Sequence, residues 1–255
     1  MRSNPRQPYL RILFLLCFLA GENLAQVNTE KLRQSSDWKE GWSGTVGFNL
    51  SFRRGNVEKS DYLLDGSFGW KHGHHLVFGK IMGEFEDIAG DQISNAAFVH
   101  LRYNLQIETL ITPEIFTQYQ FDQSLNLNSR FLIGSGIRLE GKITPKLFAA
   151  LGSGTMWEQE YYEQNLSLTT ARWTNYLVTN WRPKSNWGFS NTLYYQPAFD
   201  DFGFFRVLDE GGLQVDLSDH IVLRINLNYR YDSKPLYAEL KQYDVSLTNG
   251  LELRF

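Results

Sequence analysis

Histidine is the side chain from which catalysis would start in this sequence. Five histidines are present: His72, His74, His75, His100 and His220. Hydrolysis by a serine nucleophile needs a histidine within hydrogen-bond reach of that serine. Only His100 lies in an alternating stretch, with Arg102 on the same face, and no serine is evident at its level on the neighbouring predicted strands. The sequence therefore predicts no catalytic residue, with a lipid-modifying hydrolase as the alternative.

A metal site is the second chemistry to consider, because the stretch from Lys71 to His75 holds three of the histidines. Imidazoles close together can bind transition metals. No carboxylate or thiolate stands at ligand spacing, so the stretch predicts a solvated hairpin turn centred on Gly73. We expect neither a metal nor a cofactor.

Charged residues on one strand face form the third candidate. They are Glu84, His100, Arg102, Arg138, Glu140, Arg224, Arg230, Glu252 and Arg254. Rings of charged side chains select solutes in channels, whereas buried charges are normally paired. Mixed signs on adjacent predicted strands favour pairing. Two interpretations therefore stay open, a rigid polar network that fills the interior and a pathway for small solutes.

Strands must position these residues, because the chain alternates apolar and polar side chains over most of its length. The stretch from Tyr243 to Phe255 places Val245 and Leu247 on one face and Asp244 on the other. A period of two is the signature of a strand. Strand 1 (41–52) and the eleventh strand, from Ile221, repeat the pattern.

Twelve strands emerge from this pattern. Those between the second and the eleventh are predicted at 75–86, 93–104, 114–123, 129–141, 146–158, 168–181, 187–197 and 204–217, with the last at 241–255. An even number of strands long enough to cross a bilayer is typical of single-chain bacterial barrels. The predicted fold class is all-β, a single antiparallel up-and-down transmembrane β-barrel of about 12 strands over residues 41–255. Strands 8 and 10 alternate poorly.

Aromatic side chains fall at two levels of this scheme. The level at which strand 1 begins holds Trp42, Trp70, Trp181 and Trp187, and the opposite level holds Trp157, Trp173, Tyr229 and Tyr231. Indole and phenol rings favour the membrane–water interface. A soluble secreted ligand-binding barrel is the less favoured alternative, because alternation alone does not say which face meets water.

The first residues predict export. Arg2, Arg6 and Arg11 precede the apolar run 12–20, and Ala25 suits a cleavage site, so residues 1–25 read as a signal peptide. Residues 26–40 would form a periplasmic lead. The mature chain would lack cysteine and carry 22 basic and 27 acidic residues, which gives no electrostatic reason to expect nucleic acid. A mean hydropathy of −0.35 fits a membrane protein if every other residue meets lipid.

Three short motifs resemble a known family. They are Gly41-Trp-Ser-Gly44, the Gly55-Asn56 turn and the final hairpin ending Asn249-Gly-Leu-Glu-Leu-Arg-Phe255. Together they resemble the bacterial salt-induced outer-membrane proteins, a domain of unknown function, over about residues 38–255. The resemblance implies an outer-membrane barrel without catalytic residues. Partners would be outer-membrane lipid, the barrel-assembly machinery, which would read Phe255, and a small solute.

Overall fold

The structure is a computed structural model that describes residues 38, 40–55, 58–89, 91–106, 110–218, 220–237 and 240–253. The predicted signal peptide, most of the predicted lead, Arg254 and Phe255 lie outside these residues. No helix in the described part of the chain is long and apolar enough to cross a membrane.

Twelve strands form one antiparallel sheet in which each strand pairs with its neighbour in sequence. Their bounds are β1 Gly41–Arg53, β2 Lys59–His72, β3 His75–Ile88, β4 Asp91–Leu105, β5 Ile111–Asp122, β6 Leu127–Thr144, β7 Leu147–Tyr162, β8 Ser167–Lys184, β9 Trp187–Pro197, β10 Phe205–Asp216, β11 Ile221–Asp232 and β12 Tyr243–Leu253. The predicted all-β, up-and-down barrel and its strand count are confirmed. We call the end at which β1 begins the near end and the opposite end the far end.

Strand bounds differ most from the prediction at the far end of β7. The sequence predicts a loop over 158–167, but β7 continues to Tyr162 and β8 begins at Ser167. The predicted strand ends four residues too early because the charged residues after Glu158 resemble loop residues, whereas the Glu158 and Glu160 carboxylates are buried against arginines. At the near end, β4 and β5 extend into the stretch predicted as a long connection.

The two faces of the sheet have opposite character. On β6, Arg130, Leu132 and Arg138 are buried, whereas Ile133 and Ile137 are exposed. The same alternation runs through β8, which the sequence alone left unresolved. A soluble barrel would bury its apolar face, but here the large exposed side chains are apolar and most buried charges point inward. This arrangement suits hydrocarbon outside and polar groups inside.

Glycines on the inner face let aromatic rings lie against the wall. A Cβ added at Gly152 would stand 2.0 Å from the Tyr176 ring, and one added at Gly134 would stand 2.4 Å from the Phe116 ring. Only glycine at these two positions therefore leaves room for the rings to lie this close to the strands.

The seam of the barrel lies between β1 and β12. In the described part of the chain, each of these strands has one paired neighbour. Trp42 and Val46 of β1 are 79% and 82% exposed, the highest values among the outward apolar side chains of the described residues.

Candidate functional site

A group of buried charges crosses the interior towards the far end, and we call it the far charge cluster. Its members are Arg130, Glu158, Glu160, Arg172, Arg206 and Asp232. The Glu158 carboxylate is its centre. It accepts hydrogen bonds from Arg130 Nη2 at 2.5 Å, from Arg172 Nε at 2.5 Å and from Arg206 Nη1 at 3.1 Å. Glu158 and Arg172 are both fully buried.

Arg206 joins the centre of the cluster to its edge. Its guanidinium donates to both Glu160 oxygens, at 2.9 and 3.0 Å, and to Asp232 Oδ2 at 2.8 Å. Arg130 Nε lies 3.2 Å from Glu160. Because Arg130 pairs with Glu160 in the β6–β7 register, these two groups meet across neighbouring strands, whereas Arg206 reaches them across the interior from β10.

A second group lies nearer the near end, and we call it the near polar cluster: Arg102, Glu114, Arg138, Glu140 and Tyr176. The Tyr176 hydroxyl donates to Glu114 Oε1 at 2.9 Å and accepts from Arg138 Nη1 at 3.4 Å. Arg138 Nε donates to Glu140 Oε2 at 2.9 Å, and Arg102 Nη1 to Glu114 Oε2 at 3.4 Å. The cluster therefore ties β4, β5, β6 and β8 together.

His100 belongs to a chain of amides. Its Nδ1 lies 3.1 Å from Gln118 Oε1, and Gln118 Nε2 donates to Gln120 Oε1 at 2.5 Å. Because an amide oxygen only accepts, Nδ1 carries the proton. The ring is stacked on Phe116. The partner that orients His100 through Nδ1 is therefore a glutamine and not a serine.

Two open cavities flank the clusters on the inner sides of β8, β10 and β11. The far vestibule, about 330 Å³, is lined by Arg130, Glu160, Arg206, Arg230 and Asp244 among others. The near vestibule, about 460 Å³, is lined by Asn180, Arg182, Ser190, Arg224 and Asn226 among others. Between them, beside His100, Met156 and Gln196, the free space falls to about 40 Å³. Such a space holds little more than water.

The family follows from comparison with known proteins. This chain belongs to the family described as "Protein of unknown function, DUF481", which matches residues 46–255. No curated protein matches the chain. The name salt-induced outer-membrane protein stays a prediction.

Solved structures offer distant likenesses. A structure of the NanC porin is 14% identical, covers 83% of this chain and 99% of its own, and has a TM-score of 0.49. The translocator domain of the autotransporter NalP from Neisseria meningitidis is 11% identical, covers 89% and 93%, and has a TM-score of 0.44. A Pseudomonas aeruginosa FadL homologue is 8% identical, covers 83% and 72%, and has a TM-score of 0.38. These identities are too low to transfer a function.

The residues predicted to line the interior occupy several places in this DUF481 chain. His100, Arg102 and Arg138 are buried, and Glu84 and Glu140 are half-buried. The structure brings Arg102, Arg138 and Glu140 together in the near polar cluster. Glu84 lies apart on β3.

The remaining predicted residues lie near the seam. Arg224 is exposed in the near vestibule, and Arg230 is opposite Asp244 in the β11–β12 register, beside the far vestibule. The backbone of Glu252 pairs with Val222. Arg254, like Phe255, lies outside the described residues.

The aromatic residues lie mostly in facing pairs. The Trp42 and Trp70 rings are 6.3 Å apart, and those of Trp181 and Trp187 are 5.4 Å apart. At the far level, Trp157 and Trp173 are exposed on adjacent strands. Tyr229 and Tyr231 are half-buried on β11. These positions favour two belts of rings at the two ends of the barrel.

Sequence reasoning missed Glu114, Arg130, Glu158 and Glu160. The parity of β6 was available, because Arg130 stands an even number of residues before Arg138 and so shares its face. Glu160 was assigned to a loop, and Glu158 was the last residue of the strand predicted at 146–158, so neither was given a face. No local signal shows that Glu158 meets arginines from three other strands.

Proposed function

We propose that this DUF481 protein is a non-enzymatic outer-membrane β-barrel that passes small polar solutes through a narrow interior. The observation that carries the proposal is the pair of vestibules on the inner sides of the same strands, each with charged side chains in its lining, separated by a constriction beside His100, Met156 and Gln196. A barrel with an apolar outer face and charged residues inside resembles the general design of channels.

The far charge cluster also supports a second function, that of a closed barrel that strengthens the envelope. Each carboxylate oxygen of Glu158 accepts from two arginine side chains, and the ends of β6, β7, β8 and β10 are held together by these bonds. A saturated buried network rigidifies what surrounds it. The two functions differ in whether solute crosses the constriction.

Conductance across planar bilayers separates them. We expect the refolded protein to show small, discrete current steps. The double variant Glu160→Ala, Arg206→Ala removes a cation and an anion together and should enlarge the steps. The matched control, Arg54→Ala with Glu58→Ala, removes an exposed ion pair between β1 and β2 and should leave them unchanged. Absence of steps from both the unaltered protein and the double variant would refute the channel and favour the envelope function.

Location and export are part of the same proposal. The first 25 residues would be removed during export, and the barrel-assembly machinery would insert the rest of the chain into the outer membrane. The apolar outer face supports contact with outer-membrane lipid. Cell fractionation should recover the chain in the outer membrane, and mass spectrometry should find Gln26 at its start. Recovery as a detergent-free periplasmic monomer would instead favour the soluble barrel. Comparing its abundance in low and high salt tests the salt-induced name.

A lipid-modifying hydrolase is the alternative that His100 keeps open. Its orientation by Gln118 and its buried position argue against a role as a base for a lipid substrate. We expect no lipid hydrolysis by the purified barrel. Hydrolysis that His100→Ala abolishes, with the barrel still folded, would reverse this conclusion.

A further inference from the structure

The lining of the constriction between the two vestibules is part apolar and part polar. Phe116, Leu132 and Met156 are buried and pack together as one apolar cluster. The same free space of about 40 Å³ is also lined by polar side chains, among them His100, Thr174 and Gln196. A group that enters this space therefore meets apolar contacts and hydrogen-bonding atoms at once.

The His100 ring carries a hydrogen-bond acceptor that its own chain does not use. His100 is 3% exposed, and its Nδ1 donates to Gln118 Oε1 at 3.1 Å. Because the ring is buried beside Arg102 on the same strand face, a second positive charge is disfavoured and Nε2 keeps its lone pair. Among the described residues, Nε2 has no hydrogen-bond partner. A buried acceptor without a donor is costly, so the constriction favours a group that donates a proton to Nε2.

The charges of the lining limit which donors fit. Arg102 and Arg130 are the charged side chains in the lining, and their carboxylate partners Glu114 and Glu158 lie outside it. A cation would therefore approach two guanidinium groups, which charged pores use to exclude cations. A simple anion brings no proton for His100 Nε2. An uncharged donor satisfies both conditions.

We propose that the constriction binds the hydroxyl groups of a small uncharged polyol, with His100 Nε2 as the acceptor. A hydroxyl both donates and accepts. It can therefore donate to Nε2 and accept from the Thr174 hydroxyl, which itself accepts from Gln196 Nε2 at 3.1 Å. The C–H groups of a polyol suit the apolar cluster, and the small free space suits one hydroxyl-bearing carbon at a time. This site rests on the proposed function and names the class of solute that crosses.

Glycerol entry into vesicles tests the site. Phosphatidylcholine vesicles that hold the barrel are mixed rapidly with hyperosmotic glycerol, and light scattering follows their reswelling as glycerol enters. We expect the unaltered barrel to speed reswelling over protein-free vesicles. His100→Leu removes the acceptor and should slow entry through the barrel roughly tenfold, because a hydrogen bond that replaces one to water is lost. His74→Leu, in the exposed connection between β2 and β3, is the matched control and should leave the rate unchanged.

Two further variants separate the loss of the acceptor from a loss of folding. His100→Gln keeps an acceptor of similar reach and should restore most of the rate. Thr174→Val keeps the shape of the side chain but removes its hydroxyl, so it should slow glycerol entry several-fold even if His100→Leu does not fold. Heat-modifiable migration in detergent gels shows which variants are folded. A rate that the folded variants leave unchanged overturns the site, and so does a rate in His100→Gln as low as in His100→Leu.

Current recordings from the same preparations distinguish failure of the site from failure of the channel. Current steps without glycerol entry overturn the polyol site and leave the proposed function intact. A reversal potential in a potassium chloride gradient that makes potassium the main carrier has the same meaning, because Arg102 and Arg130 would then not exclude cations. Absence of both current steps and glycerol entry contradicts the proposed function itself.

Discussion

The interior of the barrel is packed on one side and open on the other. From β4 to β10, charged side chains such as Arg138, Glu158 and Arg172 are almost fully buried in the two clusters. Near the seam, inward residues such as Thr45 and Arg224 are exposed, and the Asp65 side chain is 50% exposed. The packed side holds strands together through ion pairs, whereas the inward side chains of the open side stay exposed.

Side-chain length explains much of this difference. On β1 the inward residues Ser43, Thr45, Gly47 and Asn49 are short, whereas β6 to β8 supply arginine, glutamate and tyrosine. Long side chains reach partners on strands that are not neighbours, as Arg206 reaches Glu158. Short ones bond only to the next strand, as Thr45 does to Ser67 at 2.8 Å. The charged side chains therefore fill the barrel from one wall, β4 to β10.

Removing the centre of the far charge cluster should have the largest effect. Glu158→Gln leaves three arginines without their shared anion, and breaking a buried ion pair costs about 3–5 kcal/mol. We expect a loss of that size in the free energy of unfolding, measured by urea titration of tryptophan fluorescence in lipid vesicles. Asp65→Asn, which loses one exposed pair with Lys80, should cost about 1 kcal/mol or less. Similar losses in both variants would contradict the division into two sides.

The second-largest loss of stability is expected when a glycine on the packed wall gains a side chain. Gly152→Ala places a Cβ 2.0 Å from the Tyr176 ring, so the ring must move away from its bonds to Glu114 and Arg138. Overpacking of this kind costs about 1–3 kcal/mol. On the open wall, Gly47→Ala places its Cβ 3.6 Å from the nearest atom, the Asp65 carbonyl oxygen, and should be neutral. Urea titration of both variants gives the comparison, and a cost for Gly47→Ala equal to that for Gly152→Ala would refute it.

A single hydroxyl tests the near polar cluster. Tyr176→Phe removes the donor to Glu114 and the acceptor for Arg138, and hydrogen bonds to charged groups contribute about 1.5–3 kcal/mol. We expect a loss near the lower end of this range, because both charges keep other partners. Tyr243→Phe, on the exposed outer face of β12, is the matched control. The melting temperature of both variants in detergent gives the comparison. If Tyr176→Phe leaves it unchanged, the Tyr176 hydroxyl contributes little to stability.

The sequence predicts the strands of this barrel better than the side-chain contacts in its interior. Alternation depends on neighbours two residues apart, so it predicts twelve strands and places β9 at its observed bounds of Trp187–Pro197. The contents depend on side chains that meet across the interior from distant positions, as Glu114 and Tyr176 do. A boundary error adds to this, because a strand that ends at Glu158 leaves Glu160 in a loop and hides its pairing with Arg130 and Arg206.

The smallest effect is expected at an exposed ion pair at the far end, which joins the connection after β9 to the connection after β11. Asp201, after β9, forms an ion pair with Lys234, after β11. The hydrogen bond from Lys234, together with one from the backbone of Gly203, lowers the pKa of Asp201 below its ordinary 3.8. A carboxyl with a lowered pKa keeps its pairing above its ordinary value and loses it as the pH falls through the lower value. Lys234→Ala should therefore raise the pKa of Asp201, followed by NMR titration of labelled aspartate, while the barrel stays as stable as before because the pair is exposed. Lys241→Ala, in the same connection, is the control and should leave the pKa of Asp201 unchanged. An equal shift in both variants would show that the overall charge of the connection, rather than the hydrogen bond from Lys234, lowers this pKa.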